Sequence, residues 1–174
     1  MICLTVACMC LAAMASAWAE PTASPQEALD QLDPRKPLPL LPMMANHQKA
    51  NMRDHLQAVQ EIIAGLPNND FAAIERASSR MGFSEKTAKM CQHMGLGAPG
   101  FTEMGVNFHK TADTIGEAAR ARNADGVLRA LGRTLAACTN CHASYKQQVV
   151  DSTMFSKLGG TPPPMPENNS PQQP

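Results

Sequence analysis

The sequence predicts an all-α fold, an antiparallel up-down-up-down four-helix bundle. Between residues 43 and 151, apolar residues recur at alternating steps of three and four in four separate stretches. That rhythm marks amphipathic helices packed nearly parallel to their neighbours. Short breaks rich in Gly, Pro and Asn separate the stretches, which leaves only tight connections between antiparallel partners. Composition agrees: aromatics make up 4% of the 174 residues, against 12 methionines and abundant Ala and Leu, a balance that favours helix. No strand and no internal repeat is expected.

Residues 1–19 form an apolar run ending in Ala17-Trp18-Ala19, a small-x-small pattern before Glu20, and read as a signal peptide cleaved near Ala19. No Lys or Arg precedes the run. It is too short and too rich in small residues for a membrane span, so none is expected after cleavage. Residues 20–42 carry Pro34, Pro37, Pro39 and Pro42 and read as an extended Pro-rich linker, with one short helical turn near Gln26–Leu32. Leu38, Leu40 and Leu41 are expected to pack on the bundle.

The first long helix covers about Met43 to Gly65, with Met52, Leu56, Val59, Ile63 and Leu66 as its inward stripe. Gly65 and Pro67 end it. Asn69 and Asp70 cap the second, whose Phe71, Ile74, Ala77 and Met81 face inward. Gly82 interrupts it, and Ser84-Glu85 restart it as far as Met94. The run from Gly95 to Gly100 is a break. The third helix covers Phe101 to Arg122, with Phe101, Met104, Phe108, Thr111, Ile115 and Ala119 inward. Asp125 caps the fourth, expected to reach Asp151 with the stripe Leu128, Leu131, Leu135, Cys138, His142, Tyr145 and Val149. The bundle domain is thus residues 43–152. Residues 153–174, with six prolines after Gly159, are expected to be a disordered tail.

Cys138-Thr139-Asn140-Cys141-His142 lies deep in the fourth helical pattern. Two cysteines separated by two residues and followed at once by histidine is the spacing by which a c-type haem is attached. Three residues apart on a helix, the two sulfurs share one face, and each adds to a haem vinyl group as a thioether. The next imidazole is then offered to the iron as proximal ligand. A thioredoxin-type pair would follow a strand. A structural zinc site needs four ligands, and Cys91 is the only other cysteine beyond the leader. Cys3, Cys8 and Cys10 leave with the leader, so Cys91 is the one free thiol expected and no internal disulfide can form.

The stretch from Cys138 to Lys146, near the end of the last of four helices, resembles the cytochrome c′ family, the class II c-type cytochromes. In that family an aromatic and then a basic residue follow the motif, as Tyr145 and Lys146 do here. Pro67-Asn68-Asn69-Asp70-Phe71 is similar to the family's start of its second helix. The chain departs in having Gln48 where the family has a basic residue, one turn before the distal position. The Gly/Pro loop after Met94 and the proline tail are also outside the family pattern. The resemblance implies one covalent haem c and a distal residue on the first helix. A methionine there implies a six-coordinate, low-spin electron carrier; a leucine or phenylalanine implies an open, five-coordinate iron. Met52 matches that position, so His142 and Met52 form the expected ligand pair. His55 and Met44 are rivals on the same helix, while His47 and His55 read by default as solvated histidines.

The expected function is periplasmic, monohaem, single-electron transfer with an unidentified redox partner protein; a homodimer is a second expected association. One alternative is a five-coordinate haem protein that binds nitric oxide or another small gas. Another is a periplasmic copper-binding protein built on Cys91, His93 and Met94, whose ligand types suit copper(I). Cys91 and His93 are two apart, so that site requires the helix to fray. Formal net charge is zero, which offers no surface for nucleic acid. With no Ser-His-Asp set, paired acid-base carboxylates or phosphate loop, no enzymatic turnover is expected.

Overall fold

The computed structural model describes residues 24–161. The expected signal peptide and its cleavage point, and residues 162–174 of the expected tail, lie outside the described residues. The chain divides into two compact units, Met1–Pro34 and Arg35–Pro174. In the first, helix α1 (Pro25–Leu32) is opened by a capping box: the Ser24 hydroxyl accepts from the Glu27 N–H, and the Glu27 carboxylate accepts from the Ser24 N–H.

The second unit runs β1 (Lys36–Leu40), α2 (Pro42–Gly65), a 3-10 turn (Leu66–Asn68), α3 (Phe71–Ser79), α4 (Glu85–Met94), α5 (Phe101–Arg120), α6 (Ala124–Ser144), β2 (Tyr145–Val149) and α7 (Ser152–Lys157). The described chain is mostly helical, but the all-α expectation needs correcting, because β1 and β2 pair in parallel from Lys36 against Tyr145 to Leu40 against Val149. Two adjacent parallel strands need a long crossover, and here α2 to α6 provide it. Pro37 and Pro39 lack N–H groups, and a two-stranded edge tolerates them. The linker expected over 20–42 is therefore not simply extended coil: it holds α1 and β1, and Leu38, Leu40 and Leu41 are buried.

Helix starts follow capping chemistry. Asp70 accepts from the Ala73 N–H at 3.0 Å, and Ser84 from the Thr87 N–H at 3.1 Å. α6 is capped by Asn123, whose Oδ1 accepts from the Gly126 N–H at 2.9 Å, rather than by Asp125. It ends at Ser144, not near Asp151, because the backbone turns extended at Tyr145 and enters β2.

Packing runs in chain order, α2 on α3, α3 on α5, and α5 on α6, whereas α2 and α6 make at most marginal direct contact. The four contribute to one core that includes Ala58 and Ile62, Ile74 and Met81, Ala112 and Ile115, and Val127 and Leu131. A second core lies at the start of α2 and joins Leu38, Leu40, Met44, Met94, Phe101, Tyr145 and Phe155. Phe155 belongs to α7, so the disordered tail expected from 153 is corrected there: Ser152–Lys157 is helical, capped by Asp151, and its phenylalanine is 0% exposed. Phe155→Ala should cost about 3–5 kcal/mol, the usual range for emptying a buried phenylalanine site. Denaturant unfolding will check it, and a loss below about 1 kcal/mol would mean that α7 is not docked.

Candidate haem-attachment site

The two cysteines of the motif sit on the last full turns of α6. Both are free thiols and half-buried, and burial pushes both above the ordinary thiol pKa. His142 is exposed at the helix end, and its backbone carbonyl accepts from Arg35 Nη1 at 3.2 Å. Tyr145 follows at once. It is buried, its hydroxyl donates to the Pro99 carbonyl at 2.6 Å, and its ring meets Phe101 edge-on at 5.5 Å. Gly100 has φ +89°, and a Cβ there would stand 2.9 Å from that hydroxyl. The Gly/Pro loop is thereby latched to the end of α6.

α6 buries Val127, Ala130, Leu131 and Thr134. The expected stripe is corrected accordingly: Leu131 and Tyr145 are buried and Cys138 half-buried, but Leu128, Leu135, His142 and Val149 are exposed. α2 differs from expectation in the same sense. Of its expected stripe, Val59 is buried and Leu66 packs on the core, but Met52, Leu56 and Ile63 are exposed, at 36%, 69% and 52%, and Ala58 and Ile62 are buried instead.

These exposed residues lie on particular flanks. Asp54 and Glu61 both pair with Arg80, just past α3, the Glu61 contact measuring 2.9 Å. Leu56 and Ile63 each stand two residues away, about 200° around the helix, and so on the flank turned from α3. On α6, Arg133 Nη2 donates to Thr114 Oγ1 of α5 at 3.4 Å. Leu135 stands two residues on, on the flank turned from α5. α2 and α6 therefore both leave apolar residues along the one side of the assembly where they do not pack on each other.

A second feature coincides with the motif. No residue is fully buried over 49–57 of α2, 82–90 from the link after α3 into α4, 102–111 of α5, or 135–144 of α6. All four intervals fall between the two cores, so full burial lapses at one level. Met52 and His55, Met90, Met104 and Phe108, and both motif cysteines belong to this layer. Asn51 Nδ2 donates to Met90 Sδ at 3.7 Å.

His55 is not the exposed histidine expected. It is half-buried, 5.1 Å from the Phe108 ring centroid and 5.9 Å from that of His109. Burial first, and the neighbouring His109 second, push its pKa down to about 4, so it is neutral at neutral pH. His109 Nδ1 donates to the Met81 carbonyl at 2.7 Å. Phe108 was on the expected inward stripe of its helix; a lone histidine one turn past Met52 carries no comparable signal in sequence. His47 is exposed and contacts Asn51 at 3.2 Å. Met44, the other rival, is buried in the second core.

No protein-family model, curated protein or solved structure matches the chain.

Cys91, His93 and Met94 do not converge. α4 is regular to Met94, with the Gly95 N–H closing on the Cys91 carbonyl at 2.9 Å, so the fraying that a copper site requires does not occur. A Cβ on Gly105 would stand 2.9 Å from Cys91 Sγ, Met94 lies in the second core, and His93 meets Phe155 edge-on at 5.7 Å. Among the described residues no group of three His, Cys, Asp or Glu side chains is placed to hold a metal ion. Burial also raises the Cys91 thiol. In protein carrying thioethers at Cys138 and Cys141, thiol titration after unfolding should find one group per chain, and none in Cys91→Ser. Finding three in the parent protein would mean that the motif cysteines are unmodified.

Proposed function

We propose that the chain is a periplasmic, monohaem, c-type electron carrier with an up-down-up-down four-helix bundle fold. The reading is carried by one observation: burial lapses on all four helical strands of the interior at one level, and the half-buried thiols of Cys138 and Cys141 lie in that layer. Native interiors are close-packed, so a level without full burial beside two thiols suits a large apolar group. The exposed leucines and isoleucine flanking the seam between α2 and α6 add to the apolar surface left to cover.

The residues fit a covalently held haem. Cys138 and Cys141 lie three apart on one helix face and are free for thioether bonds, and His142 presents an accessible imidazole. When bound, the group supplies one reversible electron through its iron. The chain's own residues would hold it: Cys138 and Cys141 through their sulfurs, with His142 at the end of α6 and Met52 on α2 as the side chains offered to the iron. Arg35 steadies the backbone at His142. The resemblance of the motif and its Tyr145-Lys146 sequel to cytochromes c′ supports the same reading.

One observation favours a second reading. On α2, His55 is half-buried, whereas Met52, one turn earlier, is exposed. A site in which Met52 stays unbound would leave a five-coordinate iron open to small gases, with His55 inside the pocket. Optical spectra of the purified protein in both oxidation states test the proposal. Sharp α and β bands on reduction are expected, and their absence would overturn it.

A further inference from the structure

A groove of about 420 Å³ runs between α5 and α6 on the side away from the seam. Lys110 and Arg133 line it, together with Asn107, Thr114 and Asn140, and none of its lining residues is acidic. The two cations are held in place. Lys110 Nζ lies 5.4 Å over the Phe83 ring. Arg133 Nη2 donates to Thr114 Oγ1, an oxygen free to accept because its own hydrogen goes to the Thr111 carbonyl at 2.7 Å. That leaves the rest of the guanidinium fork turned to solvent, the geometry that grips a carboxylate with two parallel hydrogen bonds. Neither cation takes part in an ion pair among those formed by the described residues. The formal charge of the whole chain is zero, so a groove lined by two cations and no carboxylate is a local departure and not part of a generally basic surface; the nearby Asp113 carboxylate, one turn from Lys110, is engaged by the Phe83 N–H. Asn140, in the middle of the motif, forms one end of the groove.

We propose that this groove is the docking site for carboxylate side chains of an acidic partner protein. The inference deepens the electron-carrier reading by naming the chemistry of the partner and the face it uses. That face shares α6 with the attachment cysteines, so a partner seated there lies against the helix that carries the motif. Charge complementarity of this kind sets encounter rate and orientation more than affinity, and it weakens as salt shortens the Debye length.

The test uses full-length mature protein, isotope-labelled, with amide shifts followed at low ionic strength. The probes are hexacyanocobaltate(III), a redox-inert trianion, and a short oligo-glutamate peptide. Both should shift amides around Lys110, Arg133 and Asn140. Lys110→Gln/Arg133→Gln should weaken both by about fivefold or more, whereas Arg76→Gln/Lys86→Gln, which removes the same charge elsewhere, should change either by less than about twofold. Equal weakening by the two variants would overturn the site. Binding of the trianion without the peptide would overturn the protein partner. Neither readout involves the iron, so a failure of the haem reading would appear separately, as an absent haem spectrum in the same sample.

Discussion

Mature protein, denatured and extracted with acidified organic solvent, will keep one haem per chain, and Cys138→Ala/Cys141→Ala will keep none. The expected effect is total, because a thioether survives denaturation and a coordinate bond does not. The intact mass should equal that of the processed chain plus one haem. The single variants Cys138→Ala and Cys141→Ala separate the two bonds: each should retain haem through the remaining sulfur, in lower yield. His142→Ala should keep the covalent group but lose its proximal ligand, since the thiols and the imidazole act independently. Haem that extracts freely from the parent protein would remove the covalent assignment, whatever its spectrum.

Met52→Ala should produce the second large change. With Met52 bound, the oxidised protein is low-spin and shows the weak near-infrared band of a sulfur-ligated iron. Carbon monoxide then binds the reduced protein slowly, because the thioether must leave first. The alanine variant should become high-spin and take carbon monoxide rapidly. His55→Ala should leave the spectrum close to that of the parent, because the ring is engaged with Phe108 and His109 rather than with solvent. A high-spin parent protein would sink the Met52 assignment and promote the open, gas-binding reading. A low-spin spectrum lost only in His55→Ala would transfer the ligand role to the imidazole one turn on.

How much of this was legible in the sequence depends on whether a helix is apolar on one side or two. On α3, Phe71, Ile74 and Ala77, with Met81 just past the helix, form the only apolar side, and all four are buried as expected. α2 and α6 are apolar over a wider arc. A three-four rhythm read along them selected Val59, Leu131 and Tyr145, which are buried, but also Met52, Leu56, Ile63, Leu128, Leu135 and His142, which lie on flanks left exposed, while smaller residues such as Ala58, Ala130 and Thr134 help fill the core. Hydrophobicity reports which residues avoid water; it does not report whether protein or cofactor covers them. The attachment motif needed no such choice, since its spacing is chemical and local.

The missed strand has a different origin. Tyr145 and Val149 continue the apolar rhythm of α6, so nothing nearby marks the end of the helix. Its true partner, Lys36–Leu40, lies far back in a proline-bearing stretch that alone reads as linker. Pairings between distant segments are invisible to local patterns. The buried Phe155 was hidden similarly, as one aromatic ahead of a run of prolines.

That pairing also makes the second unit a ring. Lys36 and Tyr145 are partners although 109 positions separate them (145 − 36), so one short ladder closes a loop containing all of α2 to α6. Closing a loop of that length carries an entropic cost that grows only with the logarithm of its size, but it must be met before the ladder can form, which makes the ladder a late event in folding. Because the strands are parallel, the chain enters the ladder at Lys36, where Arg35 holds the carbonyl of His142, and leaves it at the opposite end, past Val149 beside Leu40.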